Sequence, residues 1–216
     1  EAFRYFAAAL SIEENMAGRN AKGRRDCAGQ LEEILTVLHG GEKLPIAVPS
    51  KARHLFASAL TPEGYVSQIQ ELAQGFPYRF ILQGPAGTGK SGYLELILQH
   101  SELLGLQLEV FHYPLNPAKL LHILIPEKGV AVLSATELEP LANFEAEVII
   151  CGEEASNQND RRLFRELIDL GIQSLQKAQG SHGTVEEYYA QAMDFSAVNA
   201  LRDKVTAEIL SYKNRS

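Results

Sequence analysis

Tryptophan is absent from the sequence and cysteine is scarce, with only Cys27 and Cys151 among 216 residues. The two cysteines are far apart and have no partner at a spacing typical of metal ligands. This pattern argues against a disulfide framework or a zinc site, and it favours the reducing cytoplasm as the compartment.

Positive charge and long apolar runs are also limited. Lys and Arg number 20 against 27 Asp and Glu, which gives a formal net charge of −7. Nucleic acids and anionic membranes attract basic surfaces, so neither is expected as a partner. The longest apolar runs have the length of strands, so none is expected to span a bilayer. The sequence begins without an initiator methionine or the cationic start of a signal peptide, and we expect it to be part of a longer chain.

Hydrophobic residues make up 45% of the chain, enough for one substantial core with a helical appendage. Apolar residues at helical spacing over residues 2–16 and 22–38 predict two helices, which we expect to pair as a hairpin. Gly40 and Gly41 end the second helix, and the proline-bounded residues 44–49 predict an extended segment. We therefore assign residues 1–40 to a helical hairpin and residues 41–52 to a linker.

The central part, residues 53–156, alternates strand-like and helical patterns. Thr61 and Pro62 predict the N-cap and first turn of a helix that reaches about Gln74. Residues 90–104 have the spacing of a helix that packs on a sheet. Strands are predicted from the apolar runs at residues 53–59, 78–83, 106–113, 122–125, 130–133 and 147–151.

The pairing of two apolar runs and the helices of the last part complete the predicted organisation. The runs at 122–125 and 130–133 either pair as a hairpin or lie in the main sheet. In the last part, residues 157–216, two helices at 160–178 and 184–212 are predicted on either side of a break at 180–183. A helical hairpin is therefore expected at each end of the chain.

Residues 84–91 match the phosphate-binding pattern G-x-x-x-x-G-K-[ST] without a gap. Glycines in such a loop let successive N–H groups point at a phosphate beside a helix N-terminus. The alternative is a glycine-rich turn with a surface lysine, but the strand before and the helix after favour a P-loop. The predicted nucleotide-binding residues are Gly84, Pro85, Ala86, Gly87, Thr88, Gly89, Lys90, Ser91 and Gly92.

Within this loop Lys90 is expected to bridge the β- and γ-phosphates, and the Ser91 hydroxyl to bind Mg²⁺. The sequence therefore predicts an α/β fold of the P-loop NTPase type, with a parallel-rich sheet flanked by helices. The expected cofactors are ATP, or another nucleoside triphosphate, and Mg²⁺.

The acid that usually assists Mg²⁺ is harder to find. Ser134 follows a buried apolar strand where an Asp would be expected. Glu153 follows the last strand and is the better candidate, although paired surface glutamates often open a helix. His112, near the end of the strand after the P-loop helix, is a further candidate catalytic residue. Asn116 is either a group near the ligand or a plain turn residue.

The other polar residues near the predicted strands and helices are not expected to be catalytic. Glu137 and Glu139 are expected to be solvated loop acids. Arg161 and Arg162 are either anion contacts, one of them acting as a finger in a partner's site, or part of a solvated helix face, which is the commoner case. The remaining histidines show no chelating spacing and are expected to be structural or exposed.

The chain resembles a family of uncharacterised bacterial ATPase-like proteins with two tandem P-loop repeats, each ending in a long helical hairpin. The resemblance rests on residues 53–64 (RHLFASALTPEG), the P-loop, Phe111-His112 and residues 125–132 (IPEKGVAV), in the same order. It implies that the chain is the second repeat, preceded by the closing hairpin of the first. The partner of the hairpins would then be the companion repeat or another protein.

The sequence departs from that family in two acidic segments. The family has an Asp before a Thr-Ala-Pro-His segment where this chain has Ser134, and an Asp-Pro-Asp-like segment where it has Asn116 and Pro117. We therefore expect a nucleotide-binding domain with weak Mg²⁺-dependent NTPase activity and partly lost catalytic groups. A non-hydrolysing regulatory or scaffold module and a small-metabolite kinase remain as alternatives.

Overall fold

The computed structural model describes residues 1–21, 28–39, 50–153, 158–190 and 193–213. The helices are α1 (Ala2–Asn20), α2 (Ala28–His39), α3 (Ile69–Ala73), α4 (Lys90–Leu103), α5 (Gln158–Ala190) and α6 (Phe195–Lys213). The strands are β1 (Lys51–Leu55), β2 (Ser58–Thr61), β3 (Gly64–Ser67), β4 (Tyr78–Gln83), β5 (Gln107–Tyr113), β6 (Asn116–Ile125), β7 (Val130–Ser134) and β8 (Glu147–Ile150).

Six strands form one sheet in the order β1-β5-β6-β7-β4-β8. The pairs β1–β5, β7–β4 and β4–β8 are parallel, whereas β6 is antiparallel to both of its neighbours. Five strands therefore run in one direction and β6 alone runs against them. This mostly parallel mixed sheet, flanked by helices, confirms the predicted α/β class. The strand before the P-loop, β4, is an inner strand next to the edge strand β8.

The strands β6 and β7 realise both alternatives that the sequence left open. They pair antiparallel, from His122 opposite Leu133 to Ile125 opposite Val130, and they also lie inside the main sheet. A 3-10 turn at Pro126–Lys128 joins them, and Gly129 ends it with a φ of 63°. Such a left-handed residue is what glycine permits at little cost.

The helix predicted from Thr61 to about Gln74 is wrong at its start, because only its last part forms, as α3 (Ile69–Ala73). Thr61 ends β2 and pairs with Gly64 at the start of β3, so Pro62 and Glu63 form the turn of a separate two-stranded sheet. The Thr61 hydroxyl accepts a hydrogen bond from the Glu63 N–H at 3.2 Å and donates to the Gly64 carbonyl at 3.0 Å. A hydroxyl that bonds its own local backbone stabilises a turn as readily as a helix start.

Buried side chains lie on both faces of the main sheet. One cluster joins Ile34 and Leu38 of α2 to Leu94 and Ile97 of α4. A second cluster, on other strand residues, contains Ile69 of α3, and a third joins Ala9 of α1 to Phe164 and Ile168 of α5. The described apolar residues of α1 and α2 thus pack in different clusters, and the pairing of these helices as a hairpin stays a prediction.

The chain divides into two compact units, residues 1–175 and 176–216. The predicted helix break at residues 180–183 is wrong, because α5 continues through Gly180 and Gly183. A glycine inside a helix costs only about 1 kcal/mol, which the surrounding helix-forming residues offset. Helix α5 ends at Ala190 and α6 begins at Phe195, where Asp194 caps α6 by accepting a hydrogen bond from the Ser196 N–H at 2.9 Å. Among the described helices, none combines the length and the apolar character needed to cross a bilayer.

Candidate functional site

The P-loop sequence lies between the end of β4 and the start of α4, as strand, loop and helix. Gly87 and Gly89 have φ values of 90° and 92°, a region that side chains other than glycine rarely adopt. Gly89 is the N-cap residue of α4, and Lys90 is its first residue. The first N–H groups of a helix have no intrahelical partner, so they are available to an anion at this end of α4.

The C-terminal end of α1 packs directly on the loop. A Cβ added to Gly87 would lie 2.1 Å from the carbonyl oxygen of Ala17. The side-chain amide of Asn20, which is fully buried, donates to the Ala86 carbonyl at 3.1 Å. Glycine at position 87 is therefore required both by the backbone conformation and by the contact with α1.

Lys90 is buried, with its ammonium group turned back onto the loop. The group donates hydrogen bonds to the carbonyls of Gly84 and Pro85, the latter at 2.8 Å. Burial lowers the pKa of Lys90 to about 8, and the nearby Cys151 and Glu13 offset this only in part. The ammonium of Lys90 is thus a buried cation at the loop, and a further negative charge beside it would stabilise its protonated form.

Glu13 of α1 is a residue of this site that the sequence analysis missed. It is only 8% exposed, and its Oε1 accepts a hydrogen bond from the Tyr113 hydroxyl at 3.0 Å. Burial raises the pKa of Glu13, while the hydrogen bond from Tyr113 and the charges of Lys119 and Lys90 act in the opposite direction. Glu13 belongs to a stripe at spacings of three, four and seven, the buried face of α1: Ala2, Ala9, Glu13, Met16 and Asn20. An acid inside a mainly apolar stripe is the sequence signal that could have revealed it.

Two cavities open beside the loop. The β8-side cavity has a volume of about 380 Å³ and is lined by Gln83, Gly84 and Pro85 together with Ile150, Gly152 and Arg161. The β6-side cavity has a volume of about 290 Å³ and is lined by Gly87, Gly89 and Ser91 together with Tyr113, Lys119 and Ser134. Residues that line both cavities are Glu13, Ala86, Lys90 and Thr136.

Buried polar contacts hold the end of β7 and the loop that follows it. The Ser134 N–H donates to Nδ1 of the fully buried His122 at 3.3 Å. Because Nδ1 accepts this hydrogen bond, the proton of the ring is placed on Nε2, which lies 3.4 Å from Glu139, and burial lowers the pKa of His122. Glu139 is 5% exposed and also accepts from the Tyr65 hydroxyl at 2.9 Å. The predicted solvated position of Glu139 is therefore wrong.

Glu137 is also not a solvated loop acid. Its carboxylate binds the guanidinium of Arg161 at 2.8 Å and that of Arg165 at 2.7 Å. Its side chain is 14% exposed, and Arg161 lines the β8-side cavity beside it. The alternative that Arg161 belongs only to a solvated face is therefore wrong, whereas Arg162 is 74% exposed and pairs with Glu166 along the helix.

Glu153 and His112, which were predicted to assist Lys90 in catalysis, are not among the residues that line the two cavities. Glu153 is exposed after β8 and lines neither cavity. Nε2 of His112 lies 2.8 Å from Nδ1 of His54, its ring contacts Phe56, and it also lines neither cavity. Asn116 begins β6 and accepts a hydrogen bond from the Ala118 N–H at 3.1 Å. It lines neither of the two cavities.

The remaining loop residues lie where the sequence predicted them. Ser91 and Gly92 are in the first turn of α4, and open space surrounds the Cα of Gly92. The hydroxyl of the buried Thr88 donates to the Pro85 carbonyl at 2.9 Å and so closes the loop on itself. No group of three or more His, Cys, Asp or Glu side chains that could hold a metal is found in the part of the chain that the structure describes.

Comparison with protein-family models, with curated proteins and with solved structures gives no match to this chain.

Proposed function

We propose that the chain is a P-loop domain that binds a nucleoside triphosphate, with ATP as the first candidate, and hydrolyses it slowly with Mg²⁺. One observation carries the proposal: the ammonium of Lys90 lies against the carbonyls of a glycine-rich loop at the start of α4. A buried cation beside the free N–H groups of a helix N-terminus is suited to a polyanion and poorly suited to a neutral ligand.

The position of the lysine supports this use. Its ammonium reaches the carbonyls of residues at the start of the loop, so the aliphatic stem spans the loop from α4. A triphosphate in the loop would replace these carbonyls as the partner of Lys90. Burial of the charge, which lowers the pKa of Lys90 to about 8, is a penalty that the phosphate charge would relieve.

The residues present also fit Mg²⁺. This ion prefers hard oxygen ligands and keeps several waters and phosphate oxygens in nucleotide sites. Ser91 lines the β6-side cavity with Glu13 and Ser134, and each of these residues carries a side-chain oxygen. In the proposed site Ser91 would hold the ion, which when bound neutralises phosphate charge and stabilises the charge that develops during transfer.

Calorimetric titration of Mg-ATP into the full chain tests the proposal, with ADP assayed in the same samples afterwards. The wild type is expected to bind, and Lys90→Ala to lose binding by about a hundredfold or more. Lys90→Met retains the aliphatic stem and should lose binding equally, whereas Lys177→Ala, an exposed lysine of α5, should bind as the wild type does. Equal binding by Lys90→Met and the wild type would contradict the proposal.

A second candidate is a module that binds nucleotide without hydrolysing it and transmits the bound state through α1. Two observations favour it: Ser134 brings no charge to the site, and the end of α1 packs directly on Gly87 and Ala86. Tight binding without ADP would select this candidate. ADP formation that one small metabolite stimulates would instead select a kinase that uses the β8-side cavity for its acceptor.

A further inference from the structure

Glu13 is a buried carboxylate at the phosphate site that comes from outside the segment that contains the P-loop. It lines both cavities together with Lys90 and Thr136. Tyr113, at the end of β5, donates to one of its oxygens at 3.0 Å. A carboxylate that is only 8% exposed is costly to bury, and one hydrogen bond compensates that cost only in part.

The helix that carries Glu13 is fixed on both sides of it. Towards the N-terminus, Phe6 packs so closely on α5 that a Cβ at Gly171 would lie 2.2 Å from its ring. Towards the C-terminus, Asn20 binds the P-loop carbonyl of Ala86, and Arg19 forms an ion pair with Asp160 of α5. These contacts hold Glu13 in position before any ligand arrives.

The other acids near the loop cannot take the same role. Of the described residues that line the two cavities, the carboxylates are Glu13 and Glu137. Glu137 is neutralised by Arg161 and Arg165, whereas Glu13 has no salt bridge among the pairs within 4 Å that the structure describes. Ser134, at the end of β7, stands where a metal-assisting acid would be expected, and it lines the same cavity as Glu13 and Ser91.

The charge of Glu13 affects how a triphosphate can bind beside it. A buried carboxylate close to a triphosphate repels it unless a cation lies between them. The ammonium of Lys90 is hydrogen-bonded to the loop and Lys119 is half-buried, and the charges of these two lysines offset the burial of Glu13 only in part. A divalent cation on the triphosphate would convert this repulsion into attraction.

We propose that Glu13 is the acidic partner of the Mg²⁺ that accompanies the triphosphate, bound directly or through water, in place of an acid at Ser134. This inference rests on the function proposed above. Glu13 then makes triphosphate binding depend on Mg²⁺. It weakens binding of the metal-free nucleotide and strengthens binding of the Mg²⁺ complex.

The test compares the affinity of ATP in excess Mg²⁺ with its affinity in EDTA, for the wild type and for Glu13→Gln. Gln keeps the shape of the side chain and removes its charge. The ratio of the two affinities is expected to fall by at least about fivefold, because metal-free ATP binds more tightly and Mg-ATP more weakly. The measurement is equilibrium binding, so it does not depend on turnover.

Two matched variants separate charge from structure. Glu14→Gln removes the same charge from the exposed neighbouring position of α1 and should leave the ratio unchanged. Tyr113→Phe removes the hydrogen bond to Glu13 but keeps the carboxylate, so it should retain most of the Mg²⁺ dependence. The melting temperature of each variant without nucleotide checks that α1 stays packed.

The outcomes distinguish failure of the proposed function from failure of the inference about Glu13. If the wild type binds neither form of ATP, the proposed function fails and the inference falls with it. If the wild type binds and Glu13→Gln has the same ratio as Glu14→Gln, only the inference is overturned. If Glu13→Gln weakens both forms equally, Glu13 is a structural residue of α1 and the inference is also overturned.

Discussion

At the scale of the residue, Lys90 combines a full charge with an almost fully buried position. Its carbonyl partners carry only partial charges, so they compensate the loss of hydration incompletely. Burial therefore lowers the pKa of Lys90 to about 8. The lysine begins to lose its proton close to neutral pH in the free protein, and a bound triphosphate would restore it.

This property predicts a pH dependence of nucleotide binding. A triphosphate stabilises the charged lysine, so the pKa of Lys90 must rise above about 8 in the complex. Affinity is then constant below the free-protein pKa and falls as the pH increases above it. Between about pH 7 and about pH 9.5 we expect a loss of at least about tenfold in the affinity for Mg-ATP, accompanied by proton uptake.

Calorimetry in two buffers of different ionisation enthalpy measures both quantities. Lys90→Arg provides the comparison, because a guanidinium stays charged over this interval and should bind without proton uptake. Binding by the wild type that neither weakens with pH nor takes up a proton would show that the charge of Lys90 does not hold the nucleotide.

The same shift affects stability in the opposite sense. Because the folded pKa of Lys90 lies below its ordinary value, the unfolded chain binds more protons between about pH 8 and the ordinary pKa of 10.5. The free energy of unfolding therefore rises with pH across this interval, as far as Lys90 determines it. Stability and nucleotide affinity thus change in opposite directions above about pH 8, which separates loss of binding from loss of fold.

At the scale of the element, the contact between α1 and the P-loop leads to a second prediction. A Cβ at Gly87 would meet the backbone of Ala17, which cannot rotate away as a side chain can, and the φ of 90° is itself unfavourable for alanine. We expect Gly87→Ala to reduce the free energy of unfolding by about 2 kcal/mol or more and to abolish nucleotide binding. Chemical denaturation and calorimetry measure the two effects.

Gly92 supplies the matched control, because it is helical and a Cβ added there would have no atom within 4 Å. Gly92→Ala should increase stability by about 0.5–1 kcal/mol, because alanine is the better helix former. If Gly87→Ala were as stable as the wild type, the close packing of α1 on the loop would be wrong.

The elements that sequence reasoning predicted well are those with local determinants. The unit β4, P-loop and α4 follows from the glycines and the apolar run before them. Strand β5 follows from closely spaced apolar residues, and β7 and β8 follow from short continuous apolar runs. The errors at Thr61 and at Gly180 have a common cause. Capping residues and glycines have several uses, and the choice between them is made by neighbouring elements.

The site was predictable only in part for the same reason. The residues proposed to bind phosphate are consecutive in the chain, so a sequence pattern contains all of them. Glu13 and Lys90 are 77 positions apart in the sequence. The packing of α1 on α5 brings Glu13 to the cavities that Lys90 also lines. His112 was predicted from its place at the end of β5, but its partner His54 is on the neighbouring strand β1, and only the register of the sheet shows this.

At the scale of the whole molecule, the candidate site belongs to one of the two compact units. Every residue that lines the two cavities falls within residues 1–175. The residues of α6 fall within the other unit and are largely exposed. A ligand that binds the folded state stabilises the part of the structure that must be intact for binding.

Hydrogen exchange measured by mass spectrometry, with and without Mg-ATP, should therefore distinguish the two units. At a nucleotide concentration of about a hundred times the dissociation constant, amides of α1, the P-loop and α4 should exchange up to about a hundredfold more slowly. Amides of α6 should exchange at the same rate in both samples, and Lys90→Ala should show no change anywhere. Protection of α4 without α1 would mean that nucleotide displaces α1 from the loop, contrary to a role for Glu13 at the bound nucleotide. Protection of α6 would mean that residues 176–216 take part in binding, contrary to the proposed site, whose lining residues all fall within residues 1–175.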